Sequence, residues 1–216
     1  MSNIKDVRGA IFDMDGTIVD SMCVWQKVDV DFLDKRNIKM PEDLSNAIGH
    51  MTFYDSAVYF KKRFNLDESI DDIMTEWHEM VYDQYAHHIK LKPGAGEYIK
   101  SLSEKGIKIG LATSSSRTLV DIALKNNGIF EYFDAISTVD EINKDKSFPD
   151  IYVKTAEKLG VSPMKCVVFE DIYIAVLSAK KAGMQVIGVY DKNSEYQKDD
   201  IKKNADYYIE DFYELL

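Results

Sequence analysis

The sequence predicts an α/β fold: a Rossmann-like, doubly wound parallel sheet with a separate all-helical unit inserted after the first strand. Two observations carry this reading. Short apolar runs rich in Val and Ile alternate with helix-period segments along most of the chain, the pattern of βαβ units. The alternation breaks once, between residues 21 and 88, where strands vanish and four helical patterns follow one another with short polar connectors. A chain of 216 residues, 45% hydrophobic, has enough apolar material for such a core.

The predicted strands are Val7 to Phe12, Ile107 to Ala112, Ala135 to Ser137, Cys166 to Phe169, Gln185 to Val189 and Tyr207 to Ile209. Between them, Glu97 to Glu104, Thr118 to Asn126, Asp150 to Leu159 and Ile172 to Ala182 read as helices. Each is followed by Gly106, Gly128, Gly160 or Gly183, the residue that best closes a helix in the left-handed conformation. Within the insertion, Ile70, Ile73, Met74, Trp77, Met80, Val81 and Tyr85 form one apolar stripe at helical spacing, and Val24, Trp25, Val28, Phe32 and Leu33 form another. Both read as packing core. The charge-rich stretch Asp191 to Lys203 reads as a solvated loop or helix face. The expected units are therefore a core of 1–20 with 89–216, and a helical unit of 21–88.

Composition excludes several functions. With 27 basic and 37 acidic residues the net charge is −10, which opposes a nucleic-acid partner. No run is long and apolar enough to span a bilayer, and Met1-Ser2-Asn3-Ile4-Lys5-Asp6 lacks a signal-peptide core. The expected location is cytoplasmic, with no membrane partner, as a monomer or weak homo-oligomer. Cys23 and Cys166 form neither a CxxC pair nor a disulfide framework. Cys166 reads as a buried strand residue, and Cys23 has no His beside it to make it a nucleophile. His78, His87 and His88 read as surface or core residues. No P-loop or GxGxxG is present.

In a doubly wound sheet, ligands bind beyond the carboxyl ends of the strands. Asp13-Met14-Asp15-Gly16-Thr17 follows the first run, Thr113-Ser114-Ser115-Ser116-Arg117 the second, and Glu170-Asp171 the fourth, while Lys146 lies in the loop after the third. Each piece alone also reads as an ordinary turn or helix cap. Together, at successive strand ends, they point to one site. Paired carboxylates such as Asp13 and Asp15, joined by Asp171, need a proton or a cation, and oxygen-only ligands suit Mg²⁺. Lys146 and the donors around Thr113 to Ser115 can neutralise phosphate oxygens, so the inferred ligand is a phosphoryl group on a small metabolite.

These motifs resemble the haloacid dehalogenase superfamily, in its branch of phosphatases and β-phosphoglucomutases with a helical cap. Asp13 to Thr17 is similar to the family's first motif, Thr113 to its hydroxyl motif, Lys146 to its lysine motif and Glu170-Asp171 to its acidic motif. Residues 21–88 fall where the family's cap belongs. The resemblance implies Asp13 as nucleophile forming an aspartyl-phosphate, and Asp15 as the acid and base that serves the leaving oxygen and then water. It also implies Mg²⁺ held by Asp13, the carbonyl of Asp15 and Asp171, with Glu170 as a further ligand or a support behind them, and Thr113 and the amide of Ser114 on phosphoryl oxygens. Ser115, Arg117, Trp25 and His50 are the further candidates for substrate contact.

Departures from the pattern also inform. Where the mutases carry a histidine tied to proton control this chain has Trp25, and Thr52 stands near the position of an arginine that grips a second phosphate. Ser147 replaces the usual proline after the lysine, and Ile172 and Ala175 follow the acidic pair where Ser and Gly are frequent, which bears on how the next helix starts. Dehalogenation is not expected, because that subgroup lacks the second aspartate. The expectation is a Mg²⁺-dependent phosphatase of a sugar phosphate or nucleotide monophosphate. The alternatives are a sugar phosphomutase, told apart by transfer to sugar phosphate instead of water, and a non-catalytic phospholigand sensor.

Overall fold

The computed structural model describes residues 6–216, so the segment read above for a signal-peptide core lies, but for Asp6, outside the described residues. Six parallel strands, β1 (Gly9–Phe12), β2 (Lys108–Thr113), β3 (Ala135–Thr138), β4 (Cys166–Glu170), β5 (Gln185–Val189) and β6 (Tyr207–Ile209), form one sheet in the order β3-β2-β1-β4-β5-β6. The chain winds outward from β1 to β3, then crosses back to place β4 on the other side of β1. That reversal opens a crevice beyond the ends of β1 and β4.

Side chains alternate across the sheet with period 2. Ala10, Phe12, Val167, Phe169 and Ile187 join one buried cluster, while Ile11, Val168 and Val186 join the other. The first face packs beneath α5 (Ala95–Glu104) and α6 (Arg117–Asn126), the second beneath α8 (Asp150–Leu159), α9 (Tyr173–Lys181) and α10 (Lys198–Asn204). With both faces covered, the strands are apolar throughout, as the continuous runs in the sequence require.

Between β1 and β2 lie α1 (Met22–Asp34), α2 (Leu44–Ile48), α3 (Phe53–Phe64) and α4 (Ile70–His87). Their starts follow capping chemistry: the Thr52 hydroxyl accepts from the Asp55 amide, and Ser69 with Asp72 makes a reciprocal capping box. Both apolar stripes are core, with Phe32, Phe53 and Phe60 packed edge-on around Trp77. The two connections to the sheet run side by side, Asp20 donating to the carbonyl of Lys90 and Lys92 to that of Ile18, each at 2.9 Å. The first cluster continues through Met14 and Ile18 into these helices.

Gly106, Gly128, Gly160 and Gly183 all have positive φ, as their positions after helices predict. The stretch from Asp191 is largely exposed, as a solvated loop or helix face requires, with exceptions. It contains α10, Ile201 is buried, and Asp191 is buried in an ion pair with Lys92 at 2.9 Å. The short helix α7 (Val139–Ile142) was also not predicted, being too brief to show a period. Cys166 is buried, where desolvation pushes its thiol up to about 11, and Cys23 is exposed.

Candidate active site

The end of β1 delivers Asp13, whose amide continues the sheet by donating to the carbonyl of Phe169 at 3.0 Å. The chain then turns at Gly16, with φ +80°, and a Cβ there would stand 2.5 Å from Oδ2 of Asp171. Only glycine lets the loop pass this close to the carboxylate. Thr17 Oγ1 donates to Asp171 Oδ1 at 2.9 Å and lies 3.5 Å from Asp13 Oδ2, tying the first strand to the fourth.

Lys146, from the loop after α7, is 2% exposed and donates to Asp13 Oδ1 and to Glu170 Oε1, the latter at 2.7 Å. Tyr152 of α8 donates to the same Glu170 oxygen at 2.7 Å, and the Asp171 amide lies 3.2 Å from Oε2. Burial opposes the charge on Lys146, yet Asp13 and Glu170 outweigh it and hold its ammonium above the ordinary lysine range. Burial likewise pushes Asp13 well above the usual carboxylate range against the pull of Lys146, and Asp171 up to about 7 with Glu170 adding to the effect.

Oxygens of Asp13, Glu170 and Asp171 lie within 4.8 Å of one another, all three residues buried. Three carboxylates around one ammonium leave an excess of negative charge that a hard cation would balance, and every donor is an oxygen. The residues therefore fit a divalent metal ion.

Asp15 faces the other way. Its Oδ1 accepts from Ser21 at 2.6 Å and from Tyr85, and its Oδ2 accepts from Ser115 at 2.6 Å. Trp25 Nε1 in turn donates to the Tyr85 hydroxyl at 2.5 Å. Two inserted helices, α1 and α4, thus reach a carboxylate at the end of β1. Burial raises the Tyr85 phenol well above its ordinary range and Asp15 adds to it, so the group stays a donor.

One cavity is lined by Asp13, Asp15, Thr113, Ser114, Ser115, Lys146 and Asp171 from the sheet side, and by Trp25 and other residues of α1 to α4 from the inserted side. The Thr113 hydroxyl accepts from the Ser115 amide at 3.0 Å and retains its own proton to donate. Glu170 lies behind this surface, beneath Lys146. Two candidates stand apart: His50 does not line the cavity, although its neighbours Gly49 and Met51 do, and Arg117 is an exposed residue paired with Asp121 at 2.8 Å. Thr52 caps α3. The helix after Asp171 starts without a side-chain cap from Ile172; the Tyr173 amide is satisfied instead by Gln197 Oε1 at 2.7 Å.

Sequence reasoning missed Tyr85, Ser21 and Tyr152, and Asp29 of α1, which lines the cavity. The apolar stripe marked Tyr85 as buried but says nothing of where its hydroxyl ends. A buried phenol requires a partner, and that rule was the available signal.

A buried cluster of carboxylates, a lysine and hydroxyls at the strand ends of a doubly wound sheet marks the class, and comparison narrows it. The profile of the family described as haloacid dehalogenase-like hydrolase matches residues 10–189, and the chain belongs to that family. YhcW of Bacillus subtilis (strain 168) is 30% identical over 191 residues, covering 86% of this chain and 84% of that protein. Hexitol phosphatase B of Escherichia coli (strain K12) is 26% identical over 195 residues, covering 88% and 86%. The crystal structure of CbbY from Rhodobacter sphaeroides in complex with phosphate superposes with a TM-score of 0.86 at 22% identity, covering 97% of this chain and 96% of that one, a likeness of fold. The chain is thus an enzyme of a hydrolase family that generally uses a metal ion. No helix among the described residues is long and apolar enough to cross a membrane.

Proposed function

We propose that this enzyme is a Mg²⁺-dependent phosphatase that hydrolyses a small sugar phosphate through a phosphorylated Asp13. The observation that carries the reading is the meeting of Asp13, Lys146 and Asp171 with Asp15 and Thr113 to Ser115 around one cavity, with Glu170 behind Lys146. Residues 21–88 act as the cap and 1–20 with 89–216 as the core. The phosphatase names borne by relatives such as hexitol phosphatase B favour hydrolysis over phosphomutase action. The cytoplasm is the compartment that fits such a substrate.

An oxygen of Asp13 attacks phosphorus in line, and the bond from phosphorus to the leaving oxygen breaks as Asp15 supplies that oxygen's proton. Water then attacks the aspartyl-phosphate, Asp15 takes the water's proton, and the bond from phosphorus to Asp13 breaks to release inorganic phosphate. Lys146 holds Asp13 in place through Oδ1. The Thr113 hydroxyl and the Ser114 amide receive phosphoryl oxygens as charge develops on them. A divalent cation on Asp13, Glu170, Asp171 and the Asp15 carbonyl would keep the carboxylates ionised and offset the phosphate's charge. Ser21, Tyr85 and Ser115 orient Asp15, and the helices above exclude bulk water.

The test is phosphate release from a panel of phosphomonoesters with Mg²⁺, beside Asp13→Asn. Release that disappears with the variant and with EDTA is expected. Release that persists in Asp13→Asn, or isomerisation of glucose 1-phosphate without release, would overturn the proposal.

A further inference from the structure

The inserted helices bring to the cavity one acid that the mechanism does not use. Asp29 of α1 lines it, one helical turn beyond Trp25, which lines it too. Asp29 is 8% exposed and accepts no hydrogen bond from a described residue. Burial alone raises its carboxyl, to about 7, and no neighbouring charge contributes. Asp29 therefore stands apart from the Asp13, Lys146 and Asp171 cluster that shares the cavity. Among the described residues lining the cavity, Lys146 is the sole Lys or Arg, and it is already shared by Asp13 and Glu170. Buried acids are normally paired or hydrogen-bonded. One that is buried, unpaired and set in a cavity lining draws its partner from what enters the cavity.

We infer that Asp29 receives a cationic group of the substrate, so that the substrate is a phosphomonoester whose organic part carries a protonated amine. The inference rests on the phosphatase reading and narrows its substrate from sugar phosphates in general to aminated ones. A second phosphate or a carboxylate would be repelled by Asp29, with no free cation in the described lining to hold it. A hydroxyl would donate one hydrogen bond but leave the negative charge buried without a counter-charge. An Asn or Ser would read that hydroxyl at a lower cost of desolvation. An ammonium donates and neutralises at once, and hydrogen bonds between charged groups are about twice as strong as neutral ones. Trp25, one turn back on α1, adds an aromatic ring to the same lining, and ring faces attract cations. Because Asp29 stands apart from the catalytic acids, amine and phosphate belong at opposite ends of the substrate. Asp29 is thereby a specificity-determining residue, separate from the groups that handle phosphorus.

The test measures kcat/KM with Mg²⁺ for two matched pairs: glucosamine 6-phosphate against glucose 6-phosphate, and 5-aminopentyl phosphate against 5-hydroxypentyl phosphate. The flexible pair lets the amine find Asp29 whatever its place on a sugar ring. In at least one pair the wild type should favour the amine by about tenfold or more, mainly through KM, the worth of a hydrogen bond between charged groups. Asp29→Asn, close in shape and uncharged, should remove most of that preference, and Asp29→Glu, which keeps the charge, should retain part of it. Should Asp29→Asn fail to fold, Asp29→Ser is the second uncharged variant. No preference for the amine in either pair, or a preference that survives in a folded uncharged variant, would overturn the amine site, while phosphate release from the hydroxyl esters keeps the phosphatase reading. Release from none of the four would also overturn the amine site, and the phosphatase reading falls with it only if the wider panel of phosphomonoesters gives no release either.

Discussion

The two walls of the cavity differ in how their charged groups are satisfied. On the sheet side nearly every charged atom has a protein partner: Lys146 spans Asp13 and Glu170, Tyr152 supports Glu170, Thr17 holds Asp171, and three hydroxyls hold Asp15. On the inserted side Asp29, raised by burial alone, has no hydrogen-bond partner among the described residues. Groups that must act on phosphorus are fixed before substrate arrives, which lowers the cost of reorganisation during reaction.

That contrast is broken most severely by removing its central ammonium. Lys146→Met keeps the volume of the side chain but leaves Asp13 and Glu170 buried without their cation. Loss of one member of a buried ion network costs about 3–5 kcal/mol of stability, and kcat should fall by about 10² or more. Urea unfolding and phosphate-release assays check the two effects, and added Mg²⁺ should restore part of the stability but little of the rate.

A smaller effect is expected from Tyr85→Phe, which removes one of three hydroxyls on Asp15 and the acceptor of Trp25 Nε1. With Ser21 and Ser115 still in place, kcat should fall about tenfold with KM little changed. A loss confined to KM would show that this link between inserted helices and sheet serves binding and not the orientation of Asp15.

The smallest effect concerns stability. The folded pKa of Asp29, about 7, lies above its ordinary value of 3.8. Between these values the folded chain holds a proton that the unfolded chain has released, so the contribution of Asp29 to stability falls as pH rises through that window. Asp29→Asn should match the wild type near pH 4 and exceed it by about 1–2 kcal/mol at pH 8, measured by urea unfolding in EDTA, the open cavity screening part of the burial cost. An equal gap at both pH values would contradict an unpartnered carboxyl.

Legibility in the sequence followed the same division. The strands were readable because burial on both faces leaves unbroken apolar runs, as in Cys166-Val167-Val168-Phe169. The site residues on the sheet side were readable because a parallel sheet gathers its strand ends, so Asp13, Thr113, Lys146 and Asp171 meet although the sequence separates them. No comparable rule brings helix faces together. Tyr85 reaches Asp15 across 70 positions, and Asp29 sits in an apolar stripe whose period shows burial but not what it faces. The charged neighbours of Asp191 suggest solvation, yet Lys92 and the amides of Asn193 hold it in the interior. His50 and Arg117 adjoin site residues in sequence, but His50 stands outside the cavity lining and Arg117 turns along its helix toward Asp121.

The central claim is that Asp13 carries the phosphoryl group, and trapping tests it most directly. The enzyme is mixed with Mg²⁺ and a phosphomonoester that it turns over, quenched in acid, reduced with borohydride and digested for peptide mass analysis. Conversion of residue 13 to homoserine, dependent on substrate and absent in Asp13→Asn, is the result expected. Phosphate release at full rate with an unmodified Asp13 peptide would contradict it.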